Sequence, residues 1–178
     1  MSGGTGGAAV VVRAIRPQEH KLLGELTAAA YLHGGLLTFG ENDWYADELR
    51  NVEERAAKAE VLVAEGQDGA VVGGLTYVPT HEHPYAEVAR PGEAEFRMLA
   101  VAPKARGQGA GEALVRAVLD RARETGSTGI ALSTPPVATS AHRLYERLGF
   151  TRAPERDWAP IPEVTLMVYV FRFAEAAD

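Results

Sequence analysis

The segment Arg106-Gly107-Gln108-Gly109-Ala110-Gly111 constrains this chain more than any other. It follows a run from Ala94 to Val101 that reads as a strand ended by Pro103. It precedes a run from Gly111 to Thr125 in which Leu114, Val115, Val118, Leu119 and Ala122 share one helical face. Alternating glycines between a strand and a helix let the backbone turn left-handed and let a ligand approach it closely. The first turn of a helix offers free N–H groups and a partial positive charge, and Arg106 adds a fixed one. Together these make an anion cradle suited to phosphate. The competing reading, a tight connection with no ligand, needs fewer glycines.

Two nucleotide-binding designs are excluded by residue identity. A dinucleotide fingerprint starting at Gly107 needs glycine at 112, where Glu112 stands. A P-loop ends in glycine, lysine and a hydroxyl residue, whereas this loop continues Gly111-Glu112-Ala113.

Around this unit the chain reads as alternating elements. Val10 to Ile15 is a short β-branched strand, and Pro17 opens a helix that runs to about Tyr31 and breaks at Gly34-Gly35. Asn42 or Asp43 caps a second helix through Ala56. Two strands follow, Glu60 to Glu65 and Ala70 to Val78, joined by a turn at Gly66 to Gly69. Pro79 to Gly92 is a proline-containing loop. After the central strand-loop-helix come a strand at Gly129 to Thr134, a helix from Thr139 to Leu148 closed by Gly149, and a last strand from Val164 to Phe173. The order β-α-α-β-β-β-α-β-α-β defines a mixed α/β class. Residues 10–178 form one domain, with 1–9 a flexible glycine-rich tail.

Composition narrows function by exclusion. There is no cysteine, so disulfides, thiolate metal sites and a cysteine nucleophile are ruled out. The net charge of −6 argues against nucleic acid or anionic membrane as main partner. With no long apolar run and no signal-peptide pattern at the start, a cytoplasmic location is expected. His81-Glu82-His83 lacks an evident third ligand, so no metal is expected. Tyr31, Trp44 and Tyr77 are candidate walls for a substrate, though aromatics at such positions more often belong to the core.

Leu99 to Gly111 resembles the acetyl-coenzyme A signature of the GNAT N-acetyltransferase superfamily, Gln/Arg-x-x-Gly-x-Gly/Ala after a strand, with Arg106, Gly109 and Gly111 filling it. A second family signature, a helix ending leucine-tyrosine-x-x-x-glycine-phenylalanine, is matched by Leu144-Tyr145-Glu146-Arg147-Leu148-Gly149-Phe150. Residue-level matching is confined to roughly Glu95 to Phe150. The resemblance implies a mostly antiparallel sheet flanked by helices, with a V-shaped splay between the strands ending near Val101 and beginning near Gly129. It implies acetyl-CoA as cosubstrate, with the pantetheine arm in the splay along Leu99, Ala100 and Val101. The pyrophosphate would lie on the backbone of Arg106, Gly107, Gln108, Gly109, Ala110 and Gly111. Many relatives carry asparagine seven residues before the tyrosine; here that position is Ala138.

The implied reaction is direct transfer of the acetyl group to a primary amine of a small molecule or protein, since no cysteine can carry it. Tyr145 is the expected general acid, and relatives use this tyrosine on the departing thiolate. Its alternative is a core aromatic. Glu95, at alternate spacing with Arg97 and Leu99, is the expected base, its alternative an ion pair at the strand edge. Glu93 or an ordered water could also take the proton. Two further readings stay open: a non-catalytic acyl-CoA sensor, and transfer of another short acyl group. A homodimer is frequent among relatives.

Overall fold

The computed structural model describes residues 10–175. The expected tail at 1–9 lies outside the described residues. The elements are β1 (Val11–Ala14), α1 (His20–His33), α2 (Tyr45–Arg50), α3 (Val52–Lys58), β2 (Glu60–Glu65), β3 (Val71–Val78), β4 (Glu93–Val101), α4 (Ala110–Glu124), β5 (Gly129–Thr134), α5 (Thr139–Leu148), β6 (Thr151–Arg152), β7 (Trp158–Ile161) and β8 (Val164–Arg172).

The strands form one sheet in the order β1-β2-β3-β4-β5-β8-β6, with β7 also paired to β8. Period-two alternation sorts side chains to its two faces. On β2, Leu62 and Ala64 join the main core beneath α4, while Val61 and Val63 pack with Leu23 of α1 and Val52 of α3. The apolar stripe read on α4 is buried along its length, with Leu114, Val115, Val118 and Ala122 fully enclosed.

Every pairing is antiparallel except β4 with β5, which run parallel and pair only at Glu93↔Gly129, Ala94↔Ile130 and Glu95↔Ala131. Beyond Glu95 the two strands separate, which is the splay the resemblance implied. A second irregularity lies on β4. Between the pairs Thr76↔Arg97 and Gly74↔Ala100, Met98 and Leu99 stand opposite Leu75 alone, a β-bulge with Met98 at φ 59°.

The structure departs from the sequence reading at the second helix, at β6 and β7, and at the start of α4. The second helix is two, α2 and α3, divided at Asn51, whose ψ of 61° leaves the helical range. The buried Arg55 guanidinium caps the C-terminal end of α2 by donating to the carbonyls of Glu48 (2.6 Å) and Leu49 (2.9 Å). β6 and β7 carry no local strand signal, because one is two residues long and the other contains Pro160. Both exist because β8 offers a free edge. The glycine-rich loop also hands over to α4 one residue earlier than expected, with Gly109 as the N-cap.

The entry to α1 is fixed by charge. Arg13 on β1 binds Glu19 at 2.7 and 2.8 Å and Glu65 on β2 at 2.6 Å. The hydrogen bond from Arg13 holds the Glu19 carboxyl at about 2, below its ordinary 4.5. A depressed carboxylate pKa contributes stability that is complete above the unfolded-state value and lost as pH falls through the folded one. The thermal midpoint is therefore expected to fall between pH 4.5 and about 2, and Glu19→Gln to flatten that part of a calorimetric pH series.

Candidate active site

The splay opens into a cleft of about 710 Å3. One wall is β4 at Leu99, Ala100 and Val101, the other the start and first turns of α5 at Ala138, Thr139, Ser140, Ala141 and Leu144. Its end is the loop and first turn of α4, where Arg106, Gly107, Gly109, Ala110 and Gly111 line it. Of the nine residues expected around a cofactor, only Gln108 is missing from the lining; it is exposed.

The backbone explains why this end suits an anion. Gly107 and Gly109 sit at φ 79° and 85°, a left-handed region that side-chain-bearing residues rarely adopt. A Cβ on either would project into open space, so the constraint is conformational. The first N–H here with an intrahelical partner is that of Ala113, bonded to Gly109 O at 2.9 Å. The N–H groups of Ala110, Gly111 and Glu112 precede it at the positive end of a 15-residue helix. Arg106 and Arg147 add cations at the cleft wall. Arg147 was not singled out in the sequence, although its i+3 spacing from Leu144 marked it. At Ala138 the side chain offers no hydrogen bond, but the adjacent Thr139 and Ser140 bring hydroxyl groups to the same wall.

The β4 edge facing this cleft keeps unpaired main-chain groups. Ala102 N–H donates to Val72 O on β3 at 2.8 Å. Strand alternation then directs the N–H of Val101, and of Leu99 two residues earlier, to the opposite edge, which β5 has left.

A smaller cavity of about 190 Å3 adjoins the cleft, and Tyr31 and Leu36 line both. Trp44 and Tyr31, two of the expected wall residues, line it together with Phe39 and Tyr45. The third, Tyr77, does not. It is buried in the main core on β3 and lines neither cavity, because its register points it at α4. The β7–β8 hairpin supplies Pro160, Ile161, Val164 and Leu166, a wall that sequence reasoning missed along with β7.

Tyr145 is 4% exposed and sits among Phe96, Phe150 and Tyr169, with ring centroids 5.8–5.9 Å away. It contributes no lining surface to either cavity, while its neighbour Leu144 does. Burial raises its pKa well above the ordinary phenol value, so it stays protonated at neutral pH. Burial also raises the pKa of Tyr31, with smaller contributions from the nearby Tyr45 and Tyr145 phenols. Tyr145 is therefore packed as a core aromatic, one residue after the cleft-lining Leu144.

Glu95 faces elsewhere. It is 1% exposed, and its carboxylate accepts the backbone N–H groups of Glu87, Val88 and Ala89 at 2.8–3.1 Å. It lines neither cavity. Burial raises its pKa against the opposing pull of these hydrogen bonds and of Arg97. Glu93 is likewise committed, to Arg156 at 2.7 and 3.0 Å. The carboxylates that reach the small cavity are Asp43, Glu48 and Glu87. His83 bonds Lys58 O at 2.8 Å and accepts Tyr85 N–H at 3.1 Å. Among the described residues no cluster of three or more metal-binding side chains occurs, and no helix is long and apolar enough to cross a membrane.

This geometry agrees with what the chain resembles. A sequence model of the acetyltransferase (GNAT) family matches residues 27–150, and the chain belongs to that family. It is 36% identical over 84 residues to probable N-acetyltransferase family 8 member 5 of Mus musculus, covering 47% of this chain and 35% of that protein. It is 37% identical over 71 residues to N-acetylaspartate synthetase of Danio rerio, covering 40% and 25%. The chain thus spans about a third or less of the length of these curated relatives. In fold it is similar to a GNAT acetyltransferase of Staphylococcus aureus Mu50, with TM-score 0.70, 17% identity and 92% and 99% of the two chains covered. It is also similar to yncA of Salmonella typhimurium, a structure with its cofactor acetyl-CoA, with TM-score 0.66, 20% identity and 96% and 98% covered.

The position of Glu95 carries a prediction about stability. Glu95→Ala removes the acceptor of three backbone donors and is expected to destabilise the fold by about 3 kcal/mol, read as a lower urea midpoint at unchanged slope.

Proposed function

We propose that this protein is an N-acetyltransferase that moves the acetyl group of acetyl-coenzyme A to a primary amine in one ternary complex. The observation that carries the reading is the meeting of two cavities at Tyr31 and Leu36, one ending in the glycine-rich cradle and one lined by aromatic side chains. The cradle fits a pyrophosphate by its free N–H groups, Arg106 and Arg147. The unpaired β4 edge at Leu99 and Val101 fits the amides of a pantetheine arm, which would complete a strand edge that β5 leaves open.

The acceptor nitrogen attacks the thioester carbonyl, a C–N bond forms, and the C–S bond breaks. A main-chain N–H of β4 near Leu99 polarises the carbonyl oxygen. Tyr145, kept protonated by burial, stabilises the departing sulfur as a hydrogen-bond donor, and the thiolate takes its proton from there or from solvent. Glu95 acts as a positioning residue. By holding the backbone of Glu87 to Ala89 it keeps the Glu87 side chain at the acceptor cavity, and the amine proton leaves towards Glu87 or solvent there. Burial raises the pKa of Glu87, against the pull of Arg97, which makes it a better proton acceptor than an exposed carboxylate.

Two outcomes test this reading. Tyr145→Phe is expected to lower kcat by about 100-fold or more while leaving acetyl-CoA affinity unchanged by calorimetry. Gly109→Val forces a β-branched residue into a left-handed conformation and is expected to abolish acetyl-CoA binding in the same assay. Tight acetyl-CoA binding by the unaltered protein with no thiol release across an amine panel would favour a sensor instead.

A further inference from the structure

The small cavity has a charge pattern that the reaction alone does not require. Four lining side chains are ionisable at neutral pH: Asp43, Glu48, Glu87 and Arg97. Asp43 is committed to the local chain, accepting the N–H of Phe39 at 3.0 Å and of Tyr45 at 2.9 Å. That leaves two carboxylates and one guanidinium.

The guanidinium is already engaged on its several sides. Arg97 Nε lies 2.7 Å from Glu87, its Nη1 donates to Tyr85 O at 3.3 Å, and its Nη2 stands 3.9 Å from Glu48. Its carbon also lies 6.0 Å from the Tyr85 ring centroid. A substrate carboxylate would have to displace Glu87 and would bring a third anion to one cation. An ammonium ion, by contrast, neutralises the excess negative charge. Both carboxylates keep surface for it, at 38% exposure for Glu48 and 31% for Glu87.

The rest of the lining is apolar or aromatic. Phe39 and Trp44, 47% and 57% exposed, are left uncovered at this cavity, and Ile161 and Leu166 of the β7–β8 hairpin face it. Its volume is about 190 Å3. That is room for a small molecule.

Resting on the function proposed above, we infer that the acceptor is a small apolar primary amine without a carboxylate, of the alkylamine or arylalkylamine class. Its ammonium group docks against Glu48 and Glu87, and its apolar body lies against Phe39, Trp44 and Ile161. Glu87 is then a specificity-determining residue in two senses. It attracts the amine, and by occupying Arg97 it denies that guanidinium to amino acids.

The test compares 2-phenylethylamine and hexylamine with phenylalanine, aspartate and a short lysine-containing peptide, at saturating acetyl-CoA, by thiol release. The amines are expected to exceed the amino acids and the peptide by at least 100-fold in kcat/KM. Glu87→Gln is expected to raise KM for 2-phenylethylamine about tenfold or more and to narrow its advantage over phenylalanine, because Arg97 loses its partner. Acetyl-CoA affinity, measured by calorimetry on the same preparations, confirms that the variant is folded. Glu48→Gln provides a second variant with the same expected direction on KM. Preferred turnover of phenylalanine, aspartate or the peptide would overturn the acceptor inference and leave the acetyltransferase reading standing. Failure to bind acetyl-CoA, or binding without turnover of any acceptor, would overturn both.

Discussion

The parallel contact between β4 and β5 lasts three residue pairs and then stops, and the rest of the molecule is arranged around that separation. Two strands that leave one another inside a sheet expose main-chain donors and acceptors on their facing edges, and such groups need partners. Here the facing edge of β4 borders a cleft, with α5 as its opposite wall and the N-terminus of α4 at its end. A ligand with amide groups and a terminal phosphate satisfies all three surfaces at once. On its other edge β5 keeps a full antiparallel partner in β8 from Gly129 to Thr134.

The bulge at Met98 divides this region. Before it, Arg97 and Met98 line the small cavity; after it, Leu99, Ala100 and Val101 line the long cleft. An unbroken strand keeps the same residues on the same face along its length. The extra residue resets that alternation, so one strand serves two adjoining sites with different surfaces. The left-handed φ of Met98 is the local cost of that arrangement.

Charge organises the other side of the site. Glu95 gathers the N–H groups of Glu87 to Ala89, Glu93 accepts the N–H of Arg90, and His83 joins Lys58 to Tyr85. Each of these contacts anchors the long loop between β3 and β4. Arg156 also donates to Val88 O at 2.6 Å. A loop tied at several points can present Glu87 and the Tyr85 carbonyl to Arg97 in a fixed arrangement, where an untied one would spread over many conformations. The carboxylates that looked chemically available in the sequence are therefore the ones consumed by structure. Glu87, on the loop they hold, lines the small cavity beside Asp43 and Glu48.

What the sequence alone determined is local. Alternating glycines after a strand, an apolar stripe at helical spacing and a capping Gly149 depend on neighbours a few residues away, so the glycine-rich end of the cleft and most elements could be read directly. The break at Asn51 and strands β6 and β7 could not, because Arg55 and the edge of β8 create them from a distance. The roles of the acidic residues also awaited the tertiary structure. Glu95 and Glu87 are both glutamates near the same strand, and periodicity favoured the one on it. Only the folded path of the loop from Pro79 to Gly92 decides which carboxylate is saturated by backbone N–H groups and which faces open space. Tyr31 and Tyr77 differ in the same way. Both are aromatic, but sheet register turns Tyr77 into the core, while α1 brings Tyr31 to the junction of the two cavities.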